Sequence, residues 1–206
     1  TITLTEPTLL TSSISGINLD CFQDNSGSID LTVGGGTLPY TYTWIGPNSF
    51  FSILEDPQNL AAGVYDVTVI DDNGCITIET ITITEPTLLT SSISGINLDC
   101  FQDNSGSIDL TVGGGTLPYA FSWTGPGGYT NNIEDPQNLT AGVYDVTVTD
   151  DNGCVTIETI TITEPALLTC AVTGINIAIN GMSTGSIDLT VGGGTLPYAF
   201  SWTGPG

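Results

Sequence analysis

Five cysteines and 22 carboxylates carry nearly all the reactive side-chain chemistry of this 206-residue chain, which has no Lys, Arg or His. Without imidazole, amine or guanidinium there is no His base, no Schiff base and no phosphate clamp. A net charge of −22 with no side-chain cation also excludes nucleic acid and anionic membrane surfaces as partners. The cysteines are regularly placed: Cys21 and Cys100 stand 79 residues apart, as do Cys75 and Cys154. No C-x-x-C cluster accompanies them, so a disulfide in each copy is a better reading than a metal site. The expected bonds are Cys21–Cys75 and Cys100–Cys154, which imply an oxidising, extracellular setting. The competing pattern, Cys75–Cys100, would tie copies in series and leave Cys21 and Cys154 needing outside partners. Cys170 occupies the position of Ser12, so it is expected unpaired here or bonded to a cysteine beyond Gly206.

The carboxylates offer two further chemistries. "DNSGSID" (24–30) and "DDNG" (71–74) are oxygen-rich, but the bidentate Glu that would complete an EF-hand-like loop is missing, and Asp-Asn-Gly runs are ordinary turn chemistry. Calcium stays open as a weak extracellular-type ligand, although Met182 replaces Asp24 in the third copy. Glu55–Asp56 could be imagined hydrolysing glycosides, yet neighbours on a turn point apart, so a solvated turn is expected and no catalysis. "VGGGTLP" lacks the Lys of a phosphate loop and leads into no helix; its glycines are expected to serve a strand-to-strand turn.

These residues recur because the chain repeats itself. "VGGGTLPY" begins at Val33, Val112 and Val191. Residues 1–7 match the tail of a preceding copy, 8–86 and 87–165 are two full copies, and 166–206 is a partial third. The full copies differ at 14 of 79 positions, 11 of them between Thr41 and Leu54, which marks a surface hairpin or loop. The chain begins at Thr1 and reads as a segment of something longer.

Within a copy, alternation of period two dominates, as in Ile29, Leu31, Val33 and Tyr65, Val67, Val69. Turn signals separate six or seven short strands, which predicts an all-β fold of tandem immunoglobulin-like antiparallel sandwiches. Trp44 is expected in the core, and "NLAAGVY" (59–65) has the spacing of a tyrosine corner. The last strand changes phase between Ile76, Ile78 and Ile81, Ile83, which predicts a bulge or a bend near Glu79–Thr80. No apolar run approaches the ~18–20 residues of a membrane span.

The order "GSIDLTVGGGTLPYTYTW", "NLAAGVYDVTVIDDNGC", "TITITEP" resembles the SprB-type repeat of large bacterial surface adhesins, over essentially the whole chain. The resemblance implies a cell-surface or secreted filamentous protein used in attachment or gliding, and implies no ligand. The third copy departs from it, with Ile179 at the position of Cys21.

What remains is mechanical. "TEP" runs straight into "TLLTSSIS", leaving a linker of about three residues that favours a stiff stalk. Neighbouring repeats of the same chain are the expected partners, with surface glycans or like chains in a fibre left open. A rival reading makes the variable hairpin a glycan-binding module through Phe50, Phe51 or Tyr129.

Overall fold

The structure, a computed structural model, describes residue 2 and residues 5–204. Thr1, Thr3 and Leu4, part of the expected preceding tail, lie outside the described residues, as do Pro205 and Gly206. The chain forms two compact units. The first is Thr1–Thr90 with Val112–Ala120 and Thr149–Thr156; the second is Ser91–Thr111 with Phe121–Val148 and Ile157–Gly206. The first unit thus holds copy one together with two loops of copy two.

Copy one contains β1 (Thr11–Ile17), β2 (Gly27–Gly34), β3 (Thr41–Ile45), β4 (Phe51–Ser52), β5 (Gln58–Leu60), β6 (Gly63–Ile70) and β7 (Ile76–Ile83). They form two antiparallel sheets, β1-β2-β5 and β4-β3-β6-β7. Alternation sets their faces: Ile29 and Leu31 turn in while Asp30 and Thr32 stay exposed. Tyr65, Val67 and Val69 from β6 meet them with Trp44, Leu60 and Ile83 in one core. Each such side chain contributes roughly 1.5–3 kcal/mol on burial. The fold is the expected all-β, immunoglobulin-like sandwich, and the strand order, the buried Trp44 and the corner made by Tyr65 all say so.

Copy two repeats the plan with β8 (Thr90–Ile96), β9 (Gly106–Gly113), β10 (Ala120–Gly125), β11 (Tyr129–Asn131), β12 (Gln137–Leu139), β13 (Gly142–Thr149) and β14 (Val155–Ile162). Its sheets are β12-β9-β8 and β11-β10-β13-β14. In copy three the described residues form one pair, β15 (Thr169–Ile175) with β16 (Ser186–Gly192). There Ile187 is 65% and Trp202 58% exposed, whereas their counterparts Ile29 and Trp44 are 1% and 0%. In copy one Ile29 and Trp44 sit on opposite sheets and are buried in the core between them.

Of the expected bulge or bend in the last strand, the bulge is absent. β7 pairs with β6 in unbroken register from Ile70↔Ile76 to Gly63↔Ile83, so there is no bulge at Glu79–Thr80. The phase change has another cause. Ile81 and Ile83 face the core, but further along the same face stand Thr77 and Glu79, and the Ser12 hydroxyl lies 2.9 Å from Thr77 Oγ1 and from Glu79 Oε1. Ile76 and Ile78 face outward, 59% and 65% exposed. Polar residues facing inward near one end of β7 mimic a slip of register.

Candidate functional site: the loops at the junction between copies

Three loops of identical sequence in both full copies meet where copy one ends and copy two begins. The first joins β1 to β2 and carries Cys21. Asp24 shapes it: its carboxylate accepts the amides of Cys21 (2.8 Å) and Ser26 (2.9 Å) and the Ser26 hydroxyl (2.8 Å). The Ser26 amide leads in holding Asp24 below the ordinary carboxylate value, against an opposing push from burial and with help from the Ser26 hydroxyl. The second is the β6–β7 turn of each copy, organised by Asp71 and Asp150. Asp71 accepts the amides of Cys75 (2.7 Å), Thr37 (2.9 Å) and Asn73 (3.0 Å). Burial pushes Asp71 up, but those amides outweigh it and its carboxyl lies below the ordinary value. Asp150 makes the same three bonds to Cys154, Thr116 and Asn152.

The third loop is the glycine run. Gly35 and Gly36 adopt φ of +73° and +60°, and a Cβ on Gly35 would stand 1.9 Å from the Leu9 carbonyl oxygen. The run receives the chain as it enters each copy: Gly36 donates to Thr8 O (2.8 Å), Gly115 to Thr87 O (2.9 Å) and Gly194 to Ala166 O (2.7 Å). The Tyr40 hydroxyl closes the loop on Gly35 O at 2.5 Å. The peptide bond before Pro39 is cis, as it is before Pro118 and Pro197. The glycines do serve a turn, and that turn is also a receptor for the incoming chain.

The cysteines do not pair as expected. Cys21 is bonded to Cys154, with Cα atoms 5.7 Å apart, across 133 residues of sequence, while Cys75, Cys100 and Cys170 are free and exposed. The Cys21 loop sits at the far end of β7, where Leu19 N donates to Thr84 O (3.0 Å) and Gln23 N to Glu85 Oε2 (2.8 Å). Cys75 immediately precedes the near end of β7. Eight residues at ~3.3 Å each separate the two ends by roughly 25 Å, far beyond the ~7 Å limit for a disulfide. Cys100 and Cys154 are kept apart in the same way by β14, since Gln102 N donates to Glu164 Oε2 (2.7 Å) beyond its far end. The Cys75–Cys100 alternative is not what the structure holds either. Beside the bond, Asn152 Nδ2 donates to Asp20 O at 2.8 Å, a second link between the copies.

The carboxylates proposed for other chemistry are already occupied. Oxygens of Asp24 and Asp71 that could face calcium instead accept backbone amides, and no group of three or more His, Cys, Asp or Glu able to hold a metal occurs among the described residues. Asp56 Oδ1 accepts Leu31 N at 2.9 Å, so Asp56 positions β2. Tyr42 is pushed up to about 12 by its burial and then by its hydrogen bond to Glu55 and that residue's charge. In the variable segment, which is the expected hairpin, Phe50 packs edge-on to Tyr65 with ring centroids 5.2 Å apart, and Tyr129 does the same on Tyr144 at 5.3 Å. Phe51 is exposed, and copy two has Thr130 in its place.

The family model described as SprB repeat matches residues 17–49, 96–128 and 180–206. No curated protein sequence matches the chain. Among solved structures, one on Dscam isoform specificity is 12% identical, with a TM-score of 0.34, over 75% of this chain and 46% of that one. An amphioxus IgVJ-C2 molecule is 15% identical with a TM-score of 0.33, over 74% of this chain and 96% of that one. Murine CEACAM1b is likewise 15% identical, with a TM-score of 0.31, over 74% and 98%.

Proposed function

We propose that this chain, three segments of which match the SprB repeat model, forms a stiff, non-catalytic stalk segment of an extracellular adhesin or surface filament, serving attachment or gliding. The observation that carries stiffness is the anchoring of the segment between β7 and β8. Thr84 N is held by Asn18 Oδ1 (2.8 Å), Glu85 by Gln23 N (2.8 Å) and Thr87 O by Gly115 N (2.9 Å), while Leu89 is buried. Six residues separate the strands, more than the expected three, yet at least four of them are fixed to one copy or the other. The link from copy two to copy three is held alike, at Thr163 by Asn97, Glu164 by Gln102 and Ala166 by Gly194. A disulfide persists in an oxidising setting, which supports an extracellular location.

Small-angle X-ray scattering on proteins of two, four and six copies tests the reading. A stiff stalk lengthens in proportion to copy number; a flexible string lengthens roughly as its square root. The second outcome would remove the stalk. The glycan reading keeps one free aromatic, Phe51 of copy one, and no counterpart in copy two. Binding on a glycan array that vanishes with Phe51→Ala would restore it.

A further inference from the structure

We infer that the array is stapled by a ladder of disulfides shifted by one copy, in which the first cysteine of each repeat bonds the second cysteine of the repeat that follows. Cys21–Cys154 is one rung. Cys100 then awaits the Asp-Asn-Gly-Cys turn of the copy that follows, and Cys75 awaits the first cysteine of the copy before it.

Four observations lead there. The rung forms where both partners occur in the chain, whereas pairing inside a copy is prevented by the length of a strand. The unbonded cysteines are held as the bonded ones are: Cys100 N donates to Asp103 at 2.9 Å as Cys21 N does to Asp24 at 2.8 Å. Likewise Cys75 N donates to Asp71 at 2.7 Å and Cys154 N to Asp150 at 2.9 Å. The contact beside the rung is prepared as well. Asn152 divides its amide between its own Thr116 (3.2 Å) and Asp20 of the preceding copy (2.8 Å), while Asn73 makes the Thr37 bond (2.9 Å) in the same pose. Finally, Cys75 and Cys100 are both exposed.

The chemistry balances as thiol–disulfide exchange. Two cysteine thiols give up two protons and two electrons to a disulfide-bearing oxidant, which leaves as two thiols while one S–S bond joins the copies. Successive rungs overlap, because Cys100 lies between Cys21 and Cys154. A pulled array therefore cannot pay out the chain enclosed by a rung, even where a copy unfolds. Copy three, with Ile179 in the first position, interrupts the ladder: the copy after it has no partner for its second cysteine.

The test blocks free thiols in the intact surface protein with a maleimide, without reductant, and maps peptides after cleavage at acidic residues. Val155 distinguishes the Cys154 peptide from that of Cys75, which is followed by Ile76. In the native array Cys75 and Cys100 are expected to be protected. Cys21→Ser should turn Cys154 from protected to fully alkylated, whereas Cys100→Ser should leave Cys154 protected and expose the second cysteine of the next copy. Alkylation of Cys154 in the Cys100→Ser protein would establish pairing within a copy and overturn the ladder, as would free Cys75 and Cys100 in the native array. Cys75→Ser, which should expose the first cysteine of the copy before, is an independent check at an exposed position. The readout is chemical, so the stalk can fail its scattering test while the ladder stands, and the reverse.

Discussion

The Tyr65 hydroxyl donates to the Ala61 carbonyl at 2.9 Å, and Tyr144 repeats the bond to Thr140 at the same distance. This corner joins β5 to β6, and its ring does more than close a turn. Phe50 stands edge-on to it, and Gly46 lies so close that a Cβ there would meet the ring at 2.6 Å. One tyrosine thus holds both the corner and the base of the variable hairpin, which explains how the eleven differences between Thr41 and Leu54 are accommodated around an unchanged frame.

Tyr65→Phe keeps the ring and removes the bond, so it should cost about 0.5–1.5 kcal/mol in urea denaturation, and Tyr144→Phe the same. Gly46→Ala should cost more than either, because the side chain must displace a buried ring. Equal stability of Tyr65→Phe and the native protein would make the corner dispensable.

Acid should unfold the protein through its turns. The folded-state values of Asp24, Asp71 and Asp103 lie below the ordinary 3.8. Groups lowered in this way stabilise fully above their unfolded value, and the contribution is lost as pH falls through the folded value. The melting temperature should therefore hold down to about pH 4 and drop below it. Asp71→Asn should lower the neutral-pH melting temperature and flatten the acid limb. An acid limb equally steep in that variant would assign it to other carboxylates.

Salt should stabilise. With 22 acidic residues and no Lys, Arg or His, there are no side-chain ion pairs for salt to weaken, only like-charge repulsion to screen. Raising sodium chloride from about 10 to 150 mM shortens the Debye length from ~30 to ~8 Å, and melting temperature should rise with it. A fall would contradict the repulsion argument.

Much of this was legible in the residues. Alternation along β2 and β6 located the core, and the Leu-x-x-Gly-x-Tyr spacing located the corner, because both are rules of one copy. The disulfide was not, because it depends on which end of the sandwich each loop occupies. In an antiparallel sandwich, loops after odd-numbered strands lie at one end and those after even-numbered strands at the other. Cys21 follows β1 and Cys75 follows β6, so they lie at opposite ends. With six or seven strands undecided, that parity stayed open. β4, two residues long inside the most variable segment, is the strand that settles it. The misplaced bulge in β7 has a simpler cause: Thr77 and Glu79 face the Ser12 hydroxyl, a polar contact that hydrophobic spacing cannot register.

The glycine run supplies the most direct test of the junction. Gly114 sits at φ +72°, and a Cβ on it would lie 1.9 Å from the carbonyl oxygen of Leu88, in the segment that links the copies. Backbone cannot yield by that amount locally, so Gly114→Ala should push Leu88 away and break the neighbouring Gly115–Thr87 bond. Gly127 is the control. It also has positive φ, at +66°, but nothing lies within 4 Å of its added Cβ, and copy one carries Asn48 there at φ +54°. Both substitutions carry the left-handed backbone penalty of roughly 1–2 kcal/mol, whereas the steric clash belongs to Gly114 alone. Trp123 is buried in the core of copy two, so its fluorescence maximum should stay put in both variants. The scattering profile should broaden, and Cys154 become partly alkylatable without reductant, in Gly114→Ala only. If Gly127→Ala loosens the array to the same degree, the glycine run is not what holds the incoming chain.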